Sequence, residues 1–323
     1  MTLRAILRGY GHYLPPRVVE NSEFEKTLDT NDEWIRSRTG IERRHFVSEG
    51  ETTAMIGAKA AEAALKDAGL QASDMDALIV ATSTADLTFP SAATMIQAEI
   101  GMQGGFAFDV QAVCAGFAYA MTNANALVAS GQVKRVLVIG AETFSRLMDW
   151  SDRGTCVLFG DGAGAVVLEA EEGTGTPQDR GVLAAEIHSD GRFKDILYVD
   201  GGTSTKTTGH LRMQGKEVFR HAVEKLTDTA RNTLEKAGLT TDDITWIVPH
   251  QANLRILKAT ADRLNIGMER VIVTVQDHGN TSAASIPLAL SVARQDGRLK
   301  EGDVVVTGAI GGGLAWGSVV FRV

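Results

Sequence analysis

The sequence predicts an α/β protein built from two similar halves, and three observations carry that prediction. The chain repeats itself in order: Leu65-Lys66-Asp67-Ala68-Gly69-Leu70, leading through Asp74 to Leu78-Ile79-Val80, is matched by Leu234-Glu235-Lys236-Ala237-Gly238-Leu239, leading through Asp243 to Ile247-Val248. Gly131-Gln132-Val133-Lys134 before the apolar run 136–141 is likewise matched by Gly297-Arg298-Leu299-Lys300 before the run 304–309. Between these landmarks, the helix opened by Cys114 falls level with the segment opened by Asn280.

Taken in order, residues 1–11 read as a strand entering a glycine turn, with an apolar run too short and interrupted for a signal segment. A helix then ends on Ala68-Gly69, with the glycine where a left-handed cap is favoured, and an acidic turn leads to a buried strand. The run 109–120 ends a strand, turns at Cys114 and opens a helix of small residues. The second half follows the same plan. Strands alternating with helices predict largely parallel sheets joined by right-handed crossovers and packed through shared central helices. The most linker-like stretch, Glu171-Glu172-Gly173-Thr174-Gly175-Thr176-Pro177, divides the chain into halves 1–172 and 173–323.

Composition narrows the function. A net charge of −8 argues against a general nucleic-acid binder, so any basic patch is local. Two cysteines, Cys114 and Cys156, exclude a disulfide scaffold and fit a reducing, cytoplasmic setting. No apolar stretch approaches the ~18 residues of a membrane span.

Cys114 is the first chemical candidate. A cysteine among Val, Ala and Phe is commonly an inert core residue, but a helix N-terminus favours thiolate. Half ionisation at neutral pH needs about 2 kcal/mol, more than the ~0.3–1 kcal/mol a helix end usually gives, so a partner such as His250 is expected to supply the rest. His250 follows Ile247-Val248-Pro249 at the end of an expected parallel strand, where α/β sheets place active groups. Asn280, beside Gly279, fits turn chemistry equally well and gains weight from its equivalence to the Cys114 region. Cys156 and His278 read as structural. The glycine runs 160–164 and 311–313 match neither dinucleotide nor phosphate-loop spacing; beside a nucleophile they let backbone N–H groups approach a reacting carbonyl.

Together these segments resemble the β-ketoacyl-acyl-carrier-protein synthase III family of condensing enzymes. The resemblance runs nearly end to end, through Asn31-Asp32-Glu33-Trp34-Ile35, Phe89-Pro90-Ser91-Ala92-Ala93, Ala112-Val113-Cys114-Ala115-Gly116-Phe117, Phe159-Gly160-Asp161-Gly162, His250-Gln251-Ala252-Asn253, Gly279-Asn280-Thr281-Ser282 and Gly311-Gly312-Gly313-Leu314. It implies a duplicated thiolase-type fold of five αβαβα layers and a homodimer. It also implies the initiating condensation of type II fatty-acid synthesis: an acyl group, acetyl above all, passes from acyl-coenzyme A to Cys114 and then condenses with malonyl-acyl carrier protein. Coenzyme A derivatives are substrates, and neither a cofactor nor a metal is implied.

By the same resemblance, the N–H groups of Cys114 and Gly312 form the oxyanion hole, and His250 and Asn280 stabilise the enolate left by decarboxylation. Trp34 stacks on the adenine, with Thr30, Arg38, Arg153, Gly215, Ala252 and Asn253 along the coenzyme A arm. Phe159 borders the acyl pocket, and Phe89 reaches the pocket of the other subunit. The acidic carrier is expected to meet Gln251 and two basic pairs at helical spacing, Lys216 with Arg220 and Arg255 with Lys258. Asp262-Arg263 departs from the two adjacent basic residues common in relatives.

Three competing readings remain at this level. A coenzyme A-dependent relative of the same fold could act on longer or specialised acyl chains without a carrier. A cysteine peptidase also orders Cys, His and Asn this way, with Asn orienting His. A silent acyl-binding protein is disfavoured by the presence of all three polar groups.

Overall fold

The apolar runs become strands buried on both faces, and a computed structural model describes them for residues 2–323. Strands β1 (Thr2–Tyr13), β2 (Ala77–Ala81), β3 (Phe106–Val110), β4 (Arg135–Thr143) and β5 (Asp161–Gly173) form one sheet in the order β1-β5-β4-β2-β3. Strands β6 (Gly181–Ser189), β7 (Trp246–Pro249), β8 (Val304–Gly311) and β9 (Ala315–Arg322) form a second in the order β6-β9-β8-β7. A lone parallel bridge from Ile247 to Val271 stands where β3 stands in the first sheet. The repeated strand order is the structural image of the sequence repeat.

The sheets are mixed, which corrects the expectation of largely parallel ones. β2 runs parallel to β3 and β4, and β7 to β8, but β4–β5, β5–β1, β8–β9 and β9–β6 are antiparallel. The turn 312–314 between β8 and β9 is too short for a crossover, which needs about a dozen residues. The N-terminal glycines do not turn the chain either. A Cβ on Gly9 would stand 2.3 Å from the Ala64 carbonyl oxygen, and one on Gly11 would stand 2.2 Å from the Ala64 nitrogen. These glycines keep β1 continuous and let a helix press directly on it.

The helices that matter are α1 (Asp32–Thr39), α2 (Thr53–Ala68), α3 (Ala92–Glu99), α4 (Gly116–Ala129), α5 (Gly215–Lys236), α6 (Leu254–Leu264) and α7 (Ser285–Gln295). Alternation along each strand decides which layer it touches. Leu78, Val80, Leu137 and Ile139 face α2 and α3 on one side of the first sheet. Ile79 and Val138 face inward, where α4 and α7 fill the space to Val305 and Val319 of the second sheet. Ala230 and Leu234 of α5 cover Val304, Val306 and Val320 outside, and α6 packs beside α5. The result is five layers, αβαβα, with fully buried alanines such as Ala118, Ala120 and Ala124 keeping the central layer thin. Among the described residues, no helix is long and apolar enough to cross a membrane.

Candidate active site

The two central helices are entered through equivalent elbows. After β3 the chain makes a single tight turn, Val113–Ala115, before α4; in the second half Ser282–Ala284 does the same before α7. Val113 and Ser282 both adopt left-handed backbone, with φ of 50° and 49°. Such a conformation costs ~1–3 kcal/mol in a non-glycine residue and persists only when its surroundings enforce it. Each elbow presses on the central strand of the opposite half. A Cβ on Gly311 of β8 would stand 2.7 Å from the Cys114 nitrogen, and one on Gly140 of β4 would stand 2.3 Å from the Ala283 oxygen.

Cys114 therefore opens the central layer at the seam, but its thiol is not the thiolate expected from the helix end and His250 together, and His250 is not among the groups that lower it. The residue is 4% exposed. Burial, reinforced by the Glu142 charge and only partly offset by Ser282, pushes the thiol up to about 12. Desolvation thus opposes the helix end and favours the protonated thiol.

His250 caps β7, its N–H donating to the Gly308 carbonyl at 2.8 Å. Its Nδ1 lies 2.7 Å from Ser285 Oγ, which also accepts the Gln251 N–H at 3.3 Å. With that oxygen already accepting, the Ser285 hydroxyl hydrogen is assigned to Nδ1, leaving Nε2–H for the cavity. Burial lowers the imidazole to about 3, so the ring is a neutral donor at any working pH. Asn280 is pinned by backbone bonds, its N–H to the Leu158 oxygen at 2.8 Å and its carbonyl from the Gly160 N–H at 3.0 Å. Its Oδ1 accepts the Ser282 N–H at 2.9 Å, leaving the Nδ2 hydrogens for the cavity.

Cys114, His250 and Asn280 line one cavity of about 530 Å³. Its wall is apolar beside the sulfur, where Phe159 stacks on Phe144 with ring centroids 5.0 Å apart. Arg38, Gly215, Lys216, Ala252, Asn253 and Arg255 also border it. Gly312 lines an adjoining cavity of about 950 Å³ that shares Val113, Phe144, Leu197 and Leu211 with the first.

The remaining candidates lie outside this lining. The Arg153 guanidinium stands 5.4 Å over the Trp34 ring and donates to the Asp29 carbonyl. The Thr30 hydroxyl is buried without a protein partner, as a ligand contact would leave it. Phe89 is 83% exposed. Arg220 is exposed and paired with Glu217, Lys258 is exposed on α6, and so is Asp262. Gln251 is a correction. It is 1% exposed, donates to the Pro249 and Ile272 carbonyls and accepts the Thr274 and Val275 N–H groups, so a carrier protein cannot reach it.

The geometry also decides against a peptidase, because Asn280 bonds Ser282 while His250 is oriented by Ser285. Among the described residues, no group of three His, Cys, Asp or Glu could hold a metal ion. Sequence reasoning missed Ser282, Ser285 and Glu142. Glu142 carried a legible sign, a carboxylate directly after the apolar run 136–141, in a strand where charges are rarely buried.

Comparison with known proteins points to one family. A family model described as 3-oxoacyl-[acyl-carrier-protein (ACP)] synthase III matches residues 108–191, and its C-terminal counterpart matches 234–323. The chain is 73% identical over 322 residues to the β-ketoacyl-[acyl-carrier-protein] synthase III of Cereibacter sphaeroides, covering 100% of both. Among solved structures it is similar to the 3-oxoacyl-[acyl-carrier-protein] synthase III of Aquifex aeolicus, with 44% identity and a TM-score of 0.93 over 99% of this chain and 100% of that one. The Thermus thermophilus enzyme gives 42% identity and 0.92 over 98% of each.

Proposed function

The chain belongs to the 3-oxoacyl-[acyl-carrier-protein] synthase III family, and on that premise we propose how its residues divide the initiating condensation of fatty-acid synthesis. It is an acyl-transferring condensing enzyme. Cys114 attacks the thioester carbonyl of acyl-coenzyme A, and its own N–H with that of Gly312 holds the developing oxyanion. Coenzyme A departs along Trp34, Thr30, Arg38, Arg153, Gly215, Ala252 and Asn253. Malonyl-acyl carrier protein then enters the same cavity.

Loss of carbon dioxide places negative charge on the malonyl thioester oxygen. His250 Nε2–H and the Asn280 amide donate to that oxygen, and the carbanion attacks the Cys114 thioester to give the β-ketoacyl carrier. Neutral donors suit this step because they stabilise an enolate without protonating its carbon. One observation carries the reading: Cys114, His250 and Asn280 face one cavity, with the far end of each polar side chain already bonded inside the protein. Nucleophile and donors all come from the chain, so the proposed chemistry uses no cofactor.

Acetyl is the primer we assign, since the apolar wall of Phe144 and Phe159 suits a short acyl group. Lys216, Arg220, Arg255 and Lys258 form the docking patch for an acidic carrier, which favours the carrier-dependent enzyme over a coenzyme A-only relative. A homodimer is proposed because Phe89 and Leu87 are 83% and 51% exposed, Leu87 lining the second cavity, and this apolar pair needs a covering surface. The working compartment is the cytoplasm. Turnover with acetyl-coenzyme A and malonyl carrier should give an acetoacetyl carrier and one carbon dioxide per carbon–carbon bond; decarboxylation without that bond would refute the assignment.

A further inference from the structure

Glu142 is the penultimate residue of β4 beneath the active site and is fully buried, and among the described residues no basic side chain stands among the groups that shift its carboxyl. Its Oε2 accepts the Thr84 hydroxyl at 2.7 Å, and both oxygens accept the Ser83 N–H at 3.1 and 3.2 Å. Thr82 contributes a longer contact at 3.4 Å. Desolvation lifts the carboxyl to about 7, opposed by Thr84, Ser83, Ser282 and the Ala283 N–H. The turn Ser282–Ala284 packs against both the Cys114 elbow and the strand that carries Glu142, and Ser282 lowers the proton affinity of both groups. Its buried hydroxyl has no hydrogen-bond partner among the described residues. The hydroxyl is thus near two titratable groups and committed to neither, held there by a strained left-handed backbone.

We propose that Glu142, acting through the Ser282 hydroxyl, takes up the Cys114 proton during acyl transfer and holds it until the sulfur is released. This rests on the reading of Cys114 as the acylated nucleophile. As sulfur bonds to the acyl carbon, the S–H proton passes to the Ser282 oxygen and the Ser282 hydrogen passes to the carboxylate. The bond from the acyl carbon to coenzyme A breaks, and coenzyme A leaves as a thiolate that takes a proton from water. In condensation the acyl–sulfur bond breaks with its electron pair on sulfur, and the proton returns by the reverse route. Glu142 is a carboxylate again, ready for the next acyl group.

The surroundings leave Cys114 as the titratable partner. Asp161 on the neighbouring β5 is turned to Ser145 and the Val47 N–H. Asp86, after β2, accepts the Ala54 N–H, and the elbow 281–285 carries no charged side chain. Because Glu142 acts through another group it is a positioning residue, and its signature is a pH profile.

The test is the rate of Cys114 acylation by acetyl-coenzyme A between pH 5.5 and 9.5, followed by rapid quench and intact mass. The wild-type rate should rise through pH ~7 to a plateau as the base deprotonates. Glu142→Gln and Ser282→Ala should each lose at least tenfold at pH 7 and instead climb about tenfold per pH unit above it, as direct thiol ionisation takes over. Glu142→Asp should recover the wild-type shape. A folded Glu142→Gln protein with the wild-type plateau overturns the proposal. Should that variant fail to fold, Ser282→Ala decides alone, since it keeps the carboxylate and removes one oxygen; an unchanged profile there overturns it equally. Absence of any wild-type adduct on Cys114 refutes the underlying nucleophile assignment instead.

Discussion

Ser285 Oγ and His250 Nδ1 lie 2.7 Å apart, and that contact decides which nitrogen of the ring faces the cavity. Ser285 belongs to the first turn of α7, so the central helix of the second half aims the imidazole. Ser285→Ala frees the ring to turn or change tautomer. We expect condensation from preformed acyl-enzyme to slow by about tenfold, the worth of one hydrogen bond of ~1.4 kcal/mol, with self-acylation nearly unchanged. Single-turnover kinetics of the two half-reactions separates them.

Close approach of the elbows makes a stability prediction. Gly140→Ala places a methyl 2.3 Å from the Ala283 oxygen, a backbone atom that cannot move aside cheaply. A loss of about 1–3 kcal/mol is expected in urea unfolding, as for other overpacked sites. A variant as stable as wild type would mean that the elbows can part.

Acid should destabilise the fold through buried histidines. Burial lowers both His250 and His278 to about 3, with His45 and His12 adding to the effect on His278. Unfolded, each titrates near ~6.5, so below that pH the unfolded chain binds protons the folded chain refuses. Their contribution is full above pH ~6.5 and is lost as pH falls toward 3, by up to ~1.4 kcal/mol per unit for each. Glu142 has the opposite sign and is common to wild type and variant. His278→Gln should therefore lose stability less steeply between pH 6.5 and 5 than wild type, measured by urea midpoints; equal slopes would contradict the assignment.

Trp34 and Arg153 already face each other at 5.4 Å, the arrangement that would grip a flat base. Trp34→Ala should raise the KM for acyl-coenzyme A by up to about tenfold with little change in kcat. A fall in kcat with KM unchanged would move Trp34 out of the entrance.

Much of this was legible in the chain because it is local. The cysteine at a strand–helix turn, the histidine closing an apolar strand and the asparagine after glycine are each defined by immediate neighbours, and the repeat tied them together. What failed depends on distant packing. Strand direction is not written in strands buried on both faces, so β5 and β9 read like their parallel neighbours. Ionisation of Cys114 is governed by burial between the layers, which its helix position cannot report. Gln251 looked available beside His250, yet Thr274 and Val275 from a separate loop enclose its amide. Glu142 reaches the site from a strand 28 residues after Cys114, at a place only the folded seam brings together.

The most direct measurement is the intact mass of the protein after acetyl-coenzyme A, and again after malonyl-acyl carrier protein. One acetyl adduct mapped to Cys114 is expected, discharged by the carrier in wild type. In His250→Ala or Asn280→Ala the adduct should form but discharge about 10²–10³ times more slowly. An adduct on another residue, or discharge at the wild-type rate without either donor, would contradict the account.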